Sequence, residues 1–406
     1  MSAHQDVLIV GAGPAGLALA CALADRGFAV TLLERQVRAA LAEPQDDGRE
    51  IALTHRAVGI LEALGLWQRF AEQDIAPIRA ARVLDGTSPR YLGFEPTGSG
   101  LDALGYLVPN HVIRKAAFDA VAARPSIVLR DGVRIERIAV DADAARVHLA
   151  GGGVSSTRLL VGADSRFSDT RRQLGIGAEQ RDFGRTVIVC RLAHDGPADG
   201  IAYECFGYGR TLAILPLNGN QVSAVVTVSS DQAESLLQMP PEDFAASLQR
   251  QFGDRLGALR LIGQRHPYPL VAVYAQRFAV ARAVLVGDAA VGMHPVTAHG
   301  YNLGLYGVEA LGRILTNARR RGQDIGSLAG LAGYESEHRR ASLPLYLGTN
   351  ALVGLYTDER MPARLLRSVV LRIADRLPPL KNVITHQLTG THRSSARSSA
   401  RPSNTQ

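Results

Sequence analysis

The chain is 406 residues long, with 46% apolar residues, 20% charged residues and 41 glycines, a balance that buries a sizeable core and excludes a disordered or collagen-like polymer. Its length predicts two domains with extensions. The formal charge of +7 is nearly all arginine, much of it late in the chain at Arg319 to Arg321 and at Arg393, Arg397 and Arg401, and the absence of a basic stripe with interleaved aromatics excludes nucleic acid as a partner.

Val7 to Val10 is a short apolar run ending in glycine, which predicts a fully buried strand. The chain then turns at Gly11-Ala12-Gly13-Pro14-Ala15-Gly16 into an Ala/Leu-rich helix that stops near Gly27, and Val30 to Leu33 is the next buried strand, closed by Glu34. Helical spacing of Val58, Leu61, Leu64 and Leu66 predicts a helix over Thr54 to Phe70, and residues 80 to 107 read as short strands and loops. Asn110 is the expected N-cap of a helix to about Ala123. Val128 to Val161 reads as a meander leading into Gly162-Ala163-Asp164, and the alternation over 183 to 229 predicts an antiparallel sheet with one exposed face. A helix of about Pro241 to Gln251 follows, then a buried strand Ala283 to Val286 ending in Gly287-Asp288, and a helix from about Gly300 to Asn317. This order predicts a dinucleotide-binding domain (1–80, 105–182 and 275–322) interrupted by a β-rich domain (81–104 and 183–274). A C-terminal helical region (323–390) and a tail of disordered composition (391–406) complete the chain.

Gly11, Gly13 and Gly16 form G-x-G-x-x-G between a strand and a helix. Gly11 permits the tight turn, Gly13 lets backbone approach a pyrophosphate, and Gly16 lets the helix pack closely on the strand. The helix N-terminus offers N–H donors and a positive dipole end to that anion. Glu34 accepts hydrogen bonds from an adenosine ribose and argues against a 2′-phosphate, so FAD or NAD fits and NADP does not. Asp288, at the carboxyl end of another buried strand, is placed to bind the hydroxyls of a ribityl chain. The Gly300-Tyr301-Asn302-Leu303-Gly304 backbone offers close approach and N–H donors to a ring carbonyl that becomes negative on reduction. A nicotinamide needs no ribityl contact, which decides for flavin.

The glycine fingerprint, Gly162-Ala163-Asp164, and Gly287-Asp288 with His294-Pro295 resemble, in that order, the three signatures of single-component flavin aromatic hydroxylases, over about residues 5 to 390. The resemblance implies an α/β fold like that of para-hydroxybenzoate hydroxylase: a Rossmann-like FAD-binding domain, an antiparallel β-sheet substrate domain and a C-terminal helical region. It also implies that Asp288 binds the ribityl chain, that Pro295 lies beside the isoalloxazine where the C4a-peroxide forms, and that Asp164 helps hold both FAD and the passing nicotinamide. Gly48-Arg49-Glu50-Ile51-Ala52-Leu53, Ala213-Ile214-Leu215-Pro216-Leu217, Leu377-Pro378-Pro379-Leu380-Lys381 and Leu388-Thr389-Gly390 look most like the ubiquinone-biosynthesis ring hydroxylases of the demethoxyubiquinol hydroxylase type. Arg49 is then expected over the flavin, and Asn110 and Arg114 near its ribityl and phosphate groups. Ala15, Arg35 and Leu303 join the expected cofactor-binding set. The resemblance implies an FAD-dependent monooxygenase that uses NAD(P)H as a transient donor and O2 to hydroxylate a polyprenylated phenol or quinol.

Two positions depart from the pattern. Asp164-Ser165 stands where Asp-Gly is usual, and Ala298-His299-Gly300 stands where Gly-Gln-Gly is expected, so His299 sits at a flavin-edge position. It either tunes the peroxide or assists a proton transfer, or it is an ordinary hydrogen-bonded histidine. Competing functions are hydroxylation of another phenolic or polyketide substrate, a flavin halogenase, against which the single Trp67 argues, and a non-catalytic flavoprotein scaffold among ubiquinone-synthesis proteins. Cys21, Cys190 and Cys205 show no metal-type spacing, which predicts a reduced, cytoplasmic chain. No run approaches the ~20 apolar residues of a bilayer span. Between Ala363 and Leu377, however, Leu365, Leu366, Val369, Val370, Ile373 and Leu377 recur at helical spacing, with Arg364, Arg367, Arg372 and Arg376 mainly outside the stripe. Such a helix either lies in a membrane interface, peripheral to the inner face, or packs on the FAD domain or another subunit.

Overall fold

The computed structural model describes residues 5–86, 91–96, 100–207, 209–293, 299–357, 385 and 389–390. The first strand, Gln5–Val10, lies in the middle of a sheet whose main path runs Ala279–Val280, Ala283–Leu285, Val154–Gly162, Gln5–Val10, Val30–Leu33, Ile127–Arg130. From Ala283–Leu285 onward these strands pair in parallel. Val7 to Val10, Val30 to Leu33, Leu159 to Val161 and Ala283 to Leu285 are buried, as the middle of a sheet covered on both faces requires, while the outer strand exposes Val128 and Arg130. Helix Pro14–Ala24 packs against one face; Gly16 through Leu23 are all buried, so no polar face remains to it.

Register aligns the ends of these strands. Val10 pairs with Leu33 and with Gly162, and Gly162 pairs with Leu285. The segments that follow, Gly11 to Gly16, Glu34, Ala163-Asp164 and Gly287-Asp288, therefore emerge side by side at one sheet edge, where ligands of open α/β sheets bind.

A second sheet of eight strands runs Val291–Gly292, Leu259–Ala275, Ala178–His194, Gln221–Ser229, Thr211–Pro216, Ile201–Phe206, Ala80–Asp85, Tyr91–Phe94. It is antiparallel except where Ile201–Phe206 runs parallel to Ala80–Asp85. One face carries Ile188, Cys190, Leu192, Leu212, Ile214, Ala224 and Val226, buried with Phe244, Leu248 and Phe252 of helix Pro241–Phe252. A three-stranded antiparallel sheet of Glu50–Leu53, Gly105–Pro109 and Ala76–Ile78 lies between the two.

Several boundaries differ from the sequence expectation. The helix expected over Thr54 to Phe70 is His55–Ala63: Thr54 caps it by accepting from Ala57 N–H at 3.2 Å, and Gly65, at φ +69°, turns the chain away. Asn110 is not an N-cap. The cap position belongs to Pro109, and Asn110 opens helix Asn110–Ala122 with its side chain directed elsewhere. Strand Ile127–Arg130 belongs to the parallel sheet, so the meander begins only at Ile135–Val140. Helix Ser230–Gln238 is additional, and Leu328–Thr357 falls inside the helical region expected over 323–390.

Candidate active site

The glycine fingerprint divides its labour as its chemistry demands. Gly11 has φ +105°, and a Cβ there would lie 2.5 Å from the Ala163 carbonyl oxygen; one on Gly16 would lie 2.0 Å from the Gly11 carbonyl oxygen. Both are required by backbone packing. Gly13 is different: a Cβ there meets nothing within 4 Å, so it faces open space at the N-terminus of helix Pro14–Ala24. Pro14 has no N–H, and the N–H groups of Ala15 and Gly16 in the first turn lack intrahelical acceptors. The arrangement suits an anion resting over Gly13.

A second helix N-terminus converges on the same place. Gly287, at φ +62°, approaches Ala15 so closely that a Cβ would sit 2.9 Å from the Ala15 Cβ, and Gly304 of helix Gly300–Arg320 also faces Ala15 and Gly287. Gly300, like Gly13, opens on empty space. Leu303 is buried and its N–H donates to the His299 carbonyl at 2.9 Å, so the remaining donors of this turn are Gly300, Tyr301 and Asn302. The Asn302 side chain is committed: its Oδ1 accepts from Thr54 N–H at 3.0 Å and its Nδ2 donates to Ala52 O at 2.8 Å. That amide clamps the helix to the Glu50–Leu53 strand. His299 is buried at the N-cap position, without a side-chain cap bond. Pro295, with His294, falls outside the described residues, as does the segment 363–377.

Around this cradle stand the expected polar groups. Glu34 is half-buried and accepts from Ala12 N–H at 2.7 Å and Gln36 N–H at 2.8 Å; a carboxylate has about four acceptor sites, so capacity remains for a ribose. Arg35 beside it is exposed. Asp164 accepts from Ser168 Oγ at 2.5 Å and Thr170 N–H at 3.1 Å, which orders the turn beneath Gly11. Asp288 is paired with Arg166 at 3.2 Å, and the fully buried Arg171 donates to the Arg166 and Ala289 carbonyls, fixing that turn from below. Burial holds the Arg171 guanidinium below its ordinary pKa.

Asp47 organises the remaining side. It accepts from Arg49 at 2.6 Å and from Asn110 Nδ2 at 2.8 Å, while Tyr268 Oη donates to its carbonyl at 2.6 Å and the Arg49 guanidinium lies over the Tyr268 ring. Burial alone would raise the Asp47 carboxyl, but the hydrogen bonds and charge of Arg49, helped by Asn110, hold it below its usual value. Arg114, one turn beyond Asn110, is half-buried and has no ion-pair partner among the described residues. Sequence reasoning missed Asp47, Tyr268, Arg166 and Arg171. The only local signals were the Asp46-Asp47-Gly48 turn and the arginines that follow Asp164.

The second sheet supplies a cleft on the same side. Opposite its buried face, Val189, Val225, Ala213, Glu204 and Val83 form one row across the strands, and Ser223, Leu215, Ala202 and Ala81 lie on the next. Val225, Ala213, Leu215, Ala202 and Val83 remain partly accessible in mid-sheet. Two apolar clusters bound them, Val187, Val189 and Leu270 at one end and Leu92, Phe94 and Leu104 at the other. Arg191 on this face pairs with Glu50 at 2.8 Å, which turns the cleft toward Arg49 and the dinucleotide cradle.

The open space over Gly13 and Gly300, the two sets of helix N-terminal donors and the flanking acceptors fit an extended dinucleotide cofactor. The chain belongs to the FAD-binding domain family, whose model matches residues 4–343. It is an FAD-dependent monooxygenase of the ubiquinone-biosynthesis hydroxylase group. It is 47% identical to the ubiquinone hydroxylase UbiM of Neisseria meningitidis, over 96% of this chain and 86% of that one. Identity to the ubiquinone hydroxylase UbiL of Rhodospirillum rubrum is 38%, over 95% and 90%. The p-nitrophenol 4-monooxygenase PnpA of Pseudomonas putida shares the fold, with a TM-score of 0.76 at 18% identity over 97% of this chain and 100% of that one.

Proposed function

We propose that this flavoprotein hydroxylates the aromatic ring of a ubiquinone precursor, a polyprenylated phenol or quinol. The observation that carries the reading is the partly accessible row of Val83, Ala213 and Val225 on the cradle side of the second sheet, an apolar floor suited to an uncharged ring with a hydrocarbon tail. The names of the relatives support the choice of ring. Hydride acceptance from NAD(P)H and activation of O2, chemistry the side chains lack, would be supplied by FAD when bound. Gly11, Gly13, Ala15 and Gly16 would hold the pyrophosphate, Glu34 and Arg35 the adenosine side, and Asp288 the ribityl chain, with Asp164 supporting. Arg49, Asn110 and Arg114 would serve the phosphate and ribityl groups. Gly300 and Asn302, with Leu303 buried behind them and His299 at the N-cap, would present the helix N-terminus to the ring.

Among the described residues no helix is long and apolar enough to cross a membrane. A polyprenylated substrate partitions into the bilayer, so the protein docks peripherally through the basic, apolar-striped segment 363–377. Cells lacking the protein should accumulate a quinone intermediate short of one ring hydroxyl, and purified protein with NAD(P)H should add one oxygen atom to a short-chain analogue. Unchanged quinone content, together with NAD(P)H oxidation that yields only peroxide, overturns the reading.

A further inference from the structure

Hydroxylation of a phenol is faster once the ring oxygen is deprotonated, yet none of the groups above accepts that proton. Glu204 lies in the middle of strand Ile201–Phe206. Its neighbours Tyr203 and Cys205 point into the buried core beneath helix Pro241–Phe252. By alternation Glu204 points the other way, into the apolar cleft, between Ala213 on one side and Val83 on the other. Among the described residues no hydrogen bond or ion pair reaches its carboxylate. A lone carboxylate in an apolar floor costs stability unless a ligand uses it.

We infer that Glu204 is the base that takes the phenolic proton of the substrate, a role that rests on the ring-hydroxylase reading. The substrate O–H bond breaks with its electron pair left on the ring oxygen, a carboxyl O–H bond forms on Glu204, and the proton later returns to solvent. The electron-rich phenolate is then the species that meets the activated oxygen. Burial pushes the Glu204 carboxyl up to about 8, close to working pH, where a base both ionises and accepts effectively. The other titratable or charged groups around it are few. Cys205 is next in the chain, its thiol pushed up by burial and by Glu204 itself. Strand Ala80–Asp85 carries Arg82, whose guanidinium lies over the Tyr91 and Tyr203 rings. Strand Thr211–Pro216 carries none, and helix Pro241–Phe252 packs on the opposite face. Farther along the same face lie Arg191, paired with Glu50, and His266 and Tyr268.

The test compares the FAD-loaded wild type with Glu204→Gln and Glu204→Asp, using a short-chain prenylated methoxyphenol as probe. In the wild type, hydroxylation should rise with pH through about 8, since below it the carboxyl already holds its proton. Glu204→Gln should lose about 100-fold at pH 7.5 while keeping its FAD and its rate of flavin reduction. Its activity should return only as pH approaches ~10, the range in which a free phenol ionises. Glu204→Asp should fall between the two. A glutamine variant with more than a third of wild-type activity and an unshifted pH profile overturns the role of Glu204. A wild type that reduces its flavin at the normal rate yet hydroxylates the probe at no pH overturns the substrate reading instead.

Discussion

Replacing Gly13 by valine separates cofactor binding from folding. The residue has an ordinary φ of −73° and a Cβ there meets no protein atom within 4 Å, so the apoprotein accommodates the branched side chain without backbone movement. As an N-cap change it costs about 0.5–1 kcal/mol, worth roughly 1–3 °C in melting temperature for a chain of this size. The same side chain fills the space that a pyrophosphate needs. Losing two charge-assisted N–H bonds, at about 1.5–3 kcal/mol each, weakens binding by about 3–6 kcal/mol, or roughly 10²- to 10⁴-fold. Purified Gly13→Val should be folded and colourless, with apoprotein melting near that of wild-type apoprotein and flavin content below about a tenth per chain. Gly16→Ala supplies the contrast, because its Cβ would strike the Gly11 carbonyl and the fold itself should suffer. Normal flavin content in Gly13→Val refutes the cradle.

Asp288→Ala should retain the fold and lose most of its FAD, read by flavin absorbance after gel filtration; unchanged retention removes Asp288 from the site. His299→Ala should keep FAD but release more hydrogen peroxide per NAD(P)H oxidised, and full coupling would leave His299 as a packing residue. Reversal of Arg364, Arg367 and Arg372 to Glu should abolish salt-sensitive co-sedimentation with anionic vesicles while flavin content stays normal; binding that ignores salt, or that is absent in both proteins, moves the docking surface elsewhere.

The dinucleotide half of the fold is legible in the sequence because its signals are local. A buried run, a glycine turn and a closing carboxylate each occupy a few consecutive residues, and the parallel register then brings Gly11, Glu34, Asp164 and Asp288 together without further information. The substrate side is less legible because its contacts are remote. Tyr268 meets Asp47 across 221 positions, and Arg191 meets Glu50 across 141. Glu204 reads as an ordinary strand carboxylate until the sheet order shows which face is covered. The long strands Ala178–His194 and Leu259–Ala275 escape a periodicity search because their burial alternates cleanly over only part of their length. Asn110 shows the limit of a cap rule: the residue type suits a cap, but Asp47 captures its amide.

The convergence of Ala15, Gly287 and Gly304 sets a timetable for synthesis of the chain. Helix Pro14–Ala24 has no face suited to water, and the strand and helix that enclose it are not complete until Arg320 has been made. At about 5–20 residues per second the ribosome needs roughly 15–60 s to supply them, during which the first apolar helix waits uncovered. The nascent amino-terminal third is thus a natural client for chaperones, and expression stopped before residue 283 should yield aggregate, not a smaller nucleotide-binding domain.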